Sequence, residues 1–157
     1  MTMHPKFAVH AKSLDKSLKR LLAMPPVKAD HLPSEIPSAG VYLISDGRHN
    51  IYVGRSNNLR RRMRRHGRPS ATHRQTGLAF RMARKATGNV KASYKTKGSR
   101  ADLVKDPEFQ AAFTRAKERI RRMDLRYVAE PDPTRQALLE IYVAVVLDTP
   151  YNDFDTH

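Results

Sequence analysis

The chain has 157 residues, with 30 Lys and Arg against 15 Asp and Glu, and its formal net charge is +15. This length suffices for a single domain with its own core. The absence of cysteine excludes disulfides and thiolate metal sites. No apolar run approaches the roughly 18 residues of a membrane span, and the first residues lack a secretory signal, so we expect a cytoplasmic protein that binds no membrane.

The N-terminal part predicts a helix and a connector. Residues 11–24 place four leucines on one face of a helix, with Lys and Arg opposite: Leu14, Leu18, Leu21 and Leu22. Pro25-Pro26 ends this helix, and a proline-rich connector continues to Pro37. The leucine face is expected to dock on the main core, and the alternatives are a dimer contact and a contact with a DNA backbone.

Two short strands are predicted next, at residues 40–44 and 51–53, joined by a turn at Asp46-Gly47. Side chains alternate along a strand, so Tyr42 and Tyr52 point to the same side of this hairpin. Ordinary half-buried strand tyrosines would do the same. The two phenols alone therefore do not establish a site.

Residues 59–67 predict a helix with Asn57 or Asn58 as its N-cap. At about 100° per residue, the inward face carries Leu59, Arg62, Met63 and His66, and the outward face carries Arg60, Arg61, Arg64 and Arg65. The outward arginines are typical of a solvated surface that attracts phosphate. Arg62 and His66 instead share the apolar face, so each needs a partner there.

The rest of the chain predicts three more helices and a third strand. In order these are a basic helix at 74–86, a loop or flexible arm at 87–99, a helix at 107–119, a strand at 123–128 and an apolar helix that Asp132 caps and that ends before Pro150. There are no repeats, and there is no second domain boundary.

The positive charge is concentrated in the middle of the chain. No acidic residue occurs between Asp46 and Asp102, whereas Arg48 to Arg100 supply sixteen cations. A surface that served only solubility would mix the two signs. The distribution therefore predicts a polyanionic partner, with nucleic acid favoured over an anionic membrane surface.

The last helix contains a carboxylate where its pattern is apolar. Glu140 has apolar residues three, four and seven positions away. A charge on such a face costs several kcal/mol unless a cation compensates it. Arg62 is one candidate, as a structural ion pair, and a divalent metal with oxygen ligands is the other.

Gly40-Val41-Tyr42, followed ten residues on by Tyr52-Val53-Gly54, resembles the paired signature of the GIY-YIG nuclease superfamily. That family places an arginine about ten residues after the second tyrosine, often a histidine one turn later, and then a glutamate and an asparagine. The matching positions are Arg62, His66, Glu140 and Asn152. The resemblance covers roughly residues 38–154 and is greatest to the branch that contains type II restriction endonucleases, because the interval from glutamate to asparagine is short.

The resemblance implies an α+β fold in which helices flank a small, mainly antiparallel three-stranded sheet. Residues 1–37 would form the N-terminal helix and connector. Residues 38–157 would form the catalytic domain, with a basic insertion at about 68–104.

The resemblance also implies phosphodiester hydrolysis with Mg²⁺ or Mn²⁺. Glu140 would hold the metal, and Arg62 would share the charge that develops in the transition state. Either Tyr42 or His66 would take the proton from the attacking water. Tyr52 would position a phosphate or the water, and Asn152 would brace the site.

DNA is the expected partner. Basic side chains predicted to bind it are Arg55, Arg60, Arg61, Arg64, Arg65, Arg68, Arg74, Arg81, Arg84, Lys85, Lys91, Lys95 and Lys97. The segment from 68 to 100 is expected to contact phosphates rather than to read bases. Tyr94 either stacks on an extruded base or is an exposed loop residue.

Three functions fit these features. A restriction-type enzyme cutting duplex DNA at a short site is favoured, and it needs either a homodimer or successive nicking to cut both strands. A repair or recombination nuclease would recognise DNA structure instead. A non-catalytic DNA-binding module is the third, but such a protein has no need of Glu140 on an apolar face.

Overall fold

A computed structural model describes residues 2–88 and 100–154, which fall into two compact units. The first unit takes the described residues of Met1–Met63 and Met123–His157, and the second takes those of Arg64–Arg122. In the part of the chain described, no helix has both the length and the apolar character that crossing a membrane requires.

The predicted helices and strands are present where the chain is described, with shifted ends. In chain order the elements are α1 Pro5–Ala11, α2 Leu14–Ala23, β1 Gly40–Asp46, β2 His49–Ser56, α3 Leu59–Gly67, α4 Gly77–Ala86, α5 Arg100–Leu103, α6 Pro107–Arg121, β3 Asp124–Ala129 and α7 Pro133–Leu147. Three antiparallel strands with flanking helices give the expected α+β fold. The short helices α1 and α5 were not predicted.

The sheet has the strand order β2-β1-β3, so β1 is central. The hairpin of β1 and β2 is longer than predicted, because its pairing continues to Asp46 and His49 and leaves a turn of two residues. Gly47 in that turn has a φ of 63°, a conformation that glycine adopts at little cost.

The N-terminal helix α2 docks on the core of the first unit, as favoured from the sequence. Leu18 and Leu21 are buried in one cluster with residues from the sheet and from α7: Val41, Leu43, Val53, Val128, Leu139, Val143 and Ala144. Leu22 departs from the predicted stripe, because its side chain is 43% exposed. The sheet therefore lies against α2 and α7 on the face that carries Val41 and Leu43.

The second unit contains the packed pair α4 and α6. Phe80 and Phe109, with ring centroids 5.1 Å apart, lie at the centre of its apolar cluster. The buried amino group of Lys117 donates hydrogen bonds to the carbonyls of Pro69 and Ala71, at 2.6 and 3.0 Å. This contact ties the segment after α3 to α6.

Much of the predicted basic insertion at 68–104 lies within this second unit. Residues 89–99 of the arm predicted at 87–99, which include Lys91, Tyr94, Lys95 and Lys97, lie outside the described residues. Their predicted contacts with DNA stay predictions.

Candidate active site

The two motif tyrosines lie on the same side of the β1–β2 hairpin, as predicted. Tyr42 pairs with Gly54 across the strands and Ile44 pairs with Tyr52, which makes the tyrosines diagonal neighbours. Their ring centroids are 6.2 Å apart. The Tyr42 ring covers Gly54 so closely that a Cβ there would overlap the phenol.

Tyr42 is more deeply buried than the alternating pattern alone suggests, with none of its surface exposed. Burial raises its pKa well above the ordinary tyrosine value, and the neighbouring Tyr52 raises it further. The Arg62 guanidinium opposes this shift by charge and by a hydrogen bond. The phenol is therefore protonated at neutral pH, with a cation beside it.

Arg62 is placed by the first turn of α3. Asn58 caps this turn, because its side-chain oxygen accepts a hydrogen bond from the Arg61 N–H at 3.1 Å. Within the described residues, the Nε of Arg62 is buried without a hydrogen-bond partner. A buried donor of this kind is costly and suits an anionic oxygen brought by a ligand.

Glu140 projects from α7 with 23% of its side chain exposed. Burial raises the pKa of its carboxyl, and the Arg55 and Arg62 guanidinium groups oppose the rise. Its Oε1 lies 3.8 Å from the Nε of Arg55. The sequence analysis named Arg62 or a metal ion as the cation that compensates Glu140. It did not predict this contact with Arg55, which it assigned to phosphate binding.

Asn152 braces β2 through its side-chain amide. Its oxygen accepts a hydrogen bond from the Val53 N–H at 2.9 Å, and its amide nitrogen donates to the Val53 carbonyl at 2.8 Å. The Thr149 hydroxyl donates to the same side-chain oxygen at 2.7 Å. The geometry agrees with the bracing role expected from the sequence, and any further part in catalysis stays a prediction.

Gln136 is a supporting residue that the sequence reasoning missed. It is buried one helical turn before Glu140, and its amide nitrogen donates to the Asn57 side chain at 3.0 Å and to the Glu130 carbonyl at 2.7 Å. These bonds tie α7 to the segment that leads into α3. An amide side chain four residues before Glu140 in the same apolar helix was the available signal.

His66 lies in the second unit, with 2% of its surface exposed. Its Nδ1 is 3.3 Å from the hydroxyl oxygen of Thr76, the residue that caps α4. Its predicted role as proton relay or base stays a prediction.

The predicted DNA-binding residues differ in their surroundings. Exposed members are Arg55, Arg61, Arg64, Arg68, Arg74 and Lys85, and partly exposed ones are Arg60, Arg65 and Arg81. Arg60 also donates to the carbonyls of Pro33 and Ser34, which anchors the proline-rich connector. Arg84 is buried, with its guanidinium 5.7 Å from the centre of the Phe80 ring. Both side chains therefore have structural contacts besides any role with DNA.

A metal held entirely by protein does not fit this site, because no group of three or more potential metal-binding side chains occurs among the described residues. Glu140 offers a single partly exposed carboxylate. Mg²⁺ commonly takes one or two carboxylates and completes its shell with water and substrate phosphate. The donor set therefore fits a hard cation shared with a phosphate-bearing substrate.

The chain matches the family described as GIY-YIG catalytic domain over residues 38–101. The matched segment contains both tyrosines, Arg62 and His66, whereas Glu140 and Asn152 lie beyond it. No curated protein and no solved structure matches the chain. A GIY-YIG domain is thus found in the chain, which supports the superfamily inferred from the motifs and suggests a nuclease with DNA as its substrate.

Proposed function

We propose that the protein is a metal-dependent DNA endonuclease that hydrolyses phosphodiester bonds and cuts duplex DNA at a short specific site. One observation carries the proposal. The Arg62 guanidinium lies close enough to the Tyr42 phenol, with which it hydrogen-bonds, and to the Glu140 carboxyl to oppose the rise in pKa that burial causes in each. A guanidinium that reaches both a phenol and a carboxylate supplies positive charge of the kind that an in-line attack on phosphate needs.

Arg62 would stabilise the transition state. Its planar guanidinium offers several donors in a fixed arrangement, and the buried Nε has no protein partner among the described residues. As attack proceeds, negative charge grows on the equatorial phosphate oxygens. A pre-oriented guanidinium beside them needs little reorganisation, so it stabilises the transition state more than the ground state.

Glu140 would hold Mg²⁺ or Mn²⁺, which would supply positive charge at the leaving oxygen. Gln136, one helical turn before Glu140, anchors this part of α7 by its hydrogen bonds to Asn57 and Glu130. Asn152 holds the backbone of β2 at Val53, next to Tyr52 and Gly54 of the motif.

Tyr42 would take the proton from the attacking water, with the Arg62 guanidinium opposing the rise in its pKa that burial causes. In the DNA-free protein burial keeps the phenol protonated, so it acts there as a hydrogen-bond donor. Tyr52, half-buried beside it, would orient a phosphate oxygen or the water.

The restriction-type assignment is the finer part of the proposal. The short interval between Glu140 and Asn152 and the N-terminal extension support it. Cutting both strands at one site would then require two copies of the chain or two successive nicks.

Incubating plasmid DNA with Mg²⁺ or with EDTA tests the proposal. We expect discrete fragments in the sample with Mg²⁺ and uncut plasmid in the sample with EDTA. Glu140→Ala and Arg62→Ala should abolish cleavage without a large loss of DNA binding, while the control Asp148→Asn, which removes an acid at the exposed end of α7, should cut normally.

Wild-type cleavage by Glu140→Ala would refute the proposed site. Cleavage of branched DNA with inert linear duplex would refute the restriction-type assignment and indicate a structure-specific nuclease. DNA that shifts in a gel but stays uncut would indicate a binding module.

A further inference from the structure

We propose that Arg55 is a positioning residue that holds the Glu140 carboxylate in the DNA-free protein and gives it up when DNA phosphate and a divalent cation arrive. The inference rests on the proposed function and adds to it a coupling between DNA binding and metal binding.

The position of Arg55 follows from the alternation of β2. Tyr52 and Gly54 lie on the tyrosine face, so Arg55 lies on the opposite face with Val53. Val53 packs in the core cluster that contains the α7 residues Leu139 and Val143. Arg55 therefore lies beside α7, in which Glu140 directly follows the buried Leu139.

Arg55 contacts Glu140 in two ways. Its backbone N–H donates a hydrogen bond to the carboxylate, and its guanidinium Nε lies 3.8 Å from Oε1. The backbone contact is fixed by the strand and keeps the carboxylate oriented. The side-chain contact is longer than a direct hydrogen bond, and 45% of the Arg55 side chain is exposed. Ion pairs this exposed are weak, so a competing anion can displace the guanidinium.

The carboxylate cannot serve Arg55 and a metal ion equally well. A divalent cation at Glu140 would meet the repulsion of the nearby guanidinium, and the described residues contain no group of three or more metal-binding side chains that would offset it. DNA changes this balance, because a phosphate draws the Arg55 guanidinium away and contributes an oxygen to the cation. Linkage then requires that the metal also strengthens DNA binding.

The first experiment measures Mn²⁺ binding to the DNA-free protein by the electron paramagnetic resonance signal of free Mn²⁺. Arg55→Gln should bind Mn²⁺ about fivefold or more tightly than the wild type, the lower end of ordinary coupling between sites. Glu140→Gln should lose this binding. Arg48→Gln removes an exposed charge from the hairpin turn and is the matched control, for which we expect the wild-type affinity.

The second experiment measures binding to a short duplex in EDTA. Glu140→Gln should bind DNA about fivefold or more tightly than the wild type, because Arg55 is free to take a phosphate. Asp148→Asn removes the same charge from the end of α7 and should show no such gain. In the double variant with Arg55→Gln, the gain should disappear.

The outcomes separate this inference from the proposed function. Equal Mn²⁺ affinity of Arg55→Gln and wild type, with binding lost in Glu140→Gln, would overturn the role of Arg55 and leave the nuclease proposal intact. Unchanged Mn²⁺ binding in Glu140→Gln would overturn the metal site itself and the inference with it. A cooperative thermal unfolding transition in each variant, at a temperature no lower than that of the wild type, would exclude misfolding as the cause.

Discussion

Gly54 lies directly opposite Tyr42 in the antiparallel pair of β1 and β2, and the Tyr42 ring occupies the space of the missing side chain. A Cβ on Gly54 would come within 2.8 Å of the ring carbon Cε1 and closer still to the hydroxyl end. The close approach of the Tyr42 ring to the backbone of Gly54 thus explains why the motif has glycine at this position. It lets the first tyrosine of the signature lie flat against the second strand.

Gly54→Ala should therefore displace the Tyr42 ring. Because the site is fully buried, the overlap is expected to cost about 1–3 kcal/mol of the free energy of unfolding. Cleavage should fall further than the loss of folded protein explains, since the phenol moves. Urea unfolding and cleavage assays measure the two effects. Gly77→Ala, where a Cβ would meet nothing within 4 Å, is the matched control, and equal effects of the two changes would contradict the prediction.

Asn152→Ala should loosen β2 by removing both side-chain hydrogen bonds to Val53. We expect a loss of about 2 kcal/mol, because a partly buried N–H and carbonyl lose their partner. Amide hydrogen exchange at Val53 should accelerate. Phe154→Ala changes an exposed neighbour, 55% accessible, and should alter neither measurement.

Glu140→Gln should stabilise the fold at neutral pH although it abolishes cleavage. Because burial raises the carboxyl pKa, the folded state holds its proton more tightly than the unfolded state, and stability is lost as the pH rises through the folded pKa. The glutamine variant lacks this loss. Its unfolding temperature should exceed that of the wild type at about pH 7.5 and match it at about pH 4. A constant difference at both values would contradict the assignment.

The pH dependence of cleavage should identify the proton acceptor. Burial raises the pKa of Tyr42, so little of its reactive phenolate form exists at neutral pH. If Tyr42 takes the proton, the single-turnover rate should continue to rise from about pH 7 to about pH 9. A rate that levels off just above the ordinary histidine pKa of about 6.5 would assign the role to His66 instead.

Arg60 and Arg61 should differ despite being neighbours in one basic helix. Arg60 binds the Pro33 and Ser34 carbonyls, so Arg60→Ala should lower stability by about 1 kcal/mol. Arg61 is exposed, and Arg61→Ala should reduce the salt dependence of DNA binding by about 0.9 in the logarithmic slope. An equal reduction of the salt-dependence slope in both variants would contradict the prediction, because it would show that Arg60 contacts DNA phosphate as Arg61 does.

Local periodicity predicts much of this structure. Alternation along the hairpin placed Tyr42 and Tyr52 on one side, and helical spacing placed Arg62 on the inward face of α3, with the Asn58 cap before it. These patterns depend only on backbone geometry within one element, so they can be read without knowledge of the fold. The family signature then linked them to Glu140 and Asn152.

Contacts between distant elements were harder to predict. The ion pair of Arg55 with Glu140 depends on how α7 packs against β2, and no spacing along the chain encodes that distance. The bonds of Gln136 to Asn57 and Glu130 arise in the same way. The division into two units also has no local signal, because its boundary falls inside α3 after Met63.

The hydrogen bonds of Asn152 have a consequence for solubility as well. With the order β2-β1-β3, β2 is an outer strand of the sheet, and unpaired peptide groups on such a strand are a template for intermolecular pairing. The Asn152 amide imitates a neighbouring peptide at Val53, and the Tyr151 N–H bonds the Ile51 carbonyl at 3.1 Å. The segment after α7 thereby shields this part of the sheet margin from strand addition and aggregation.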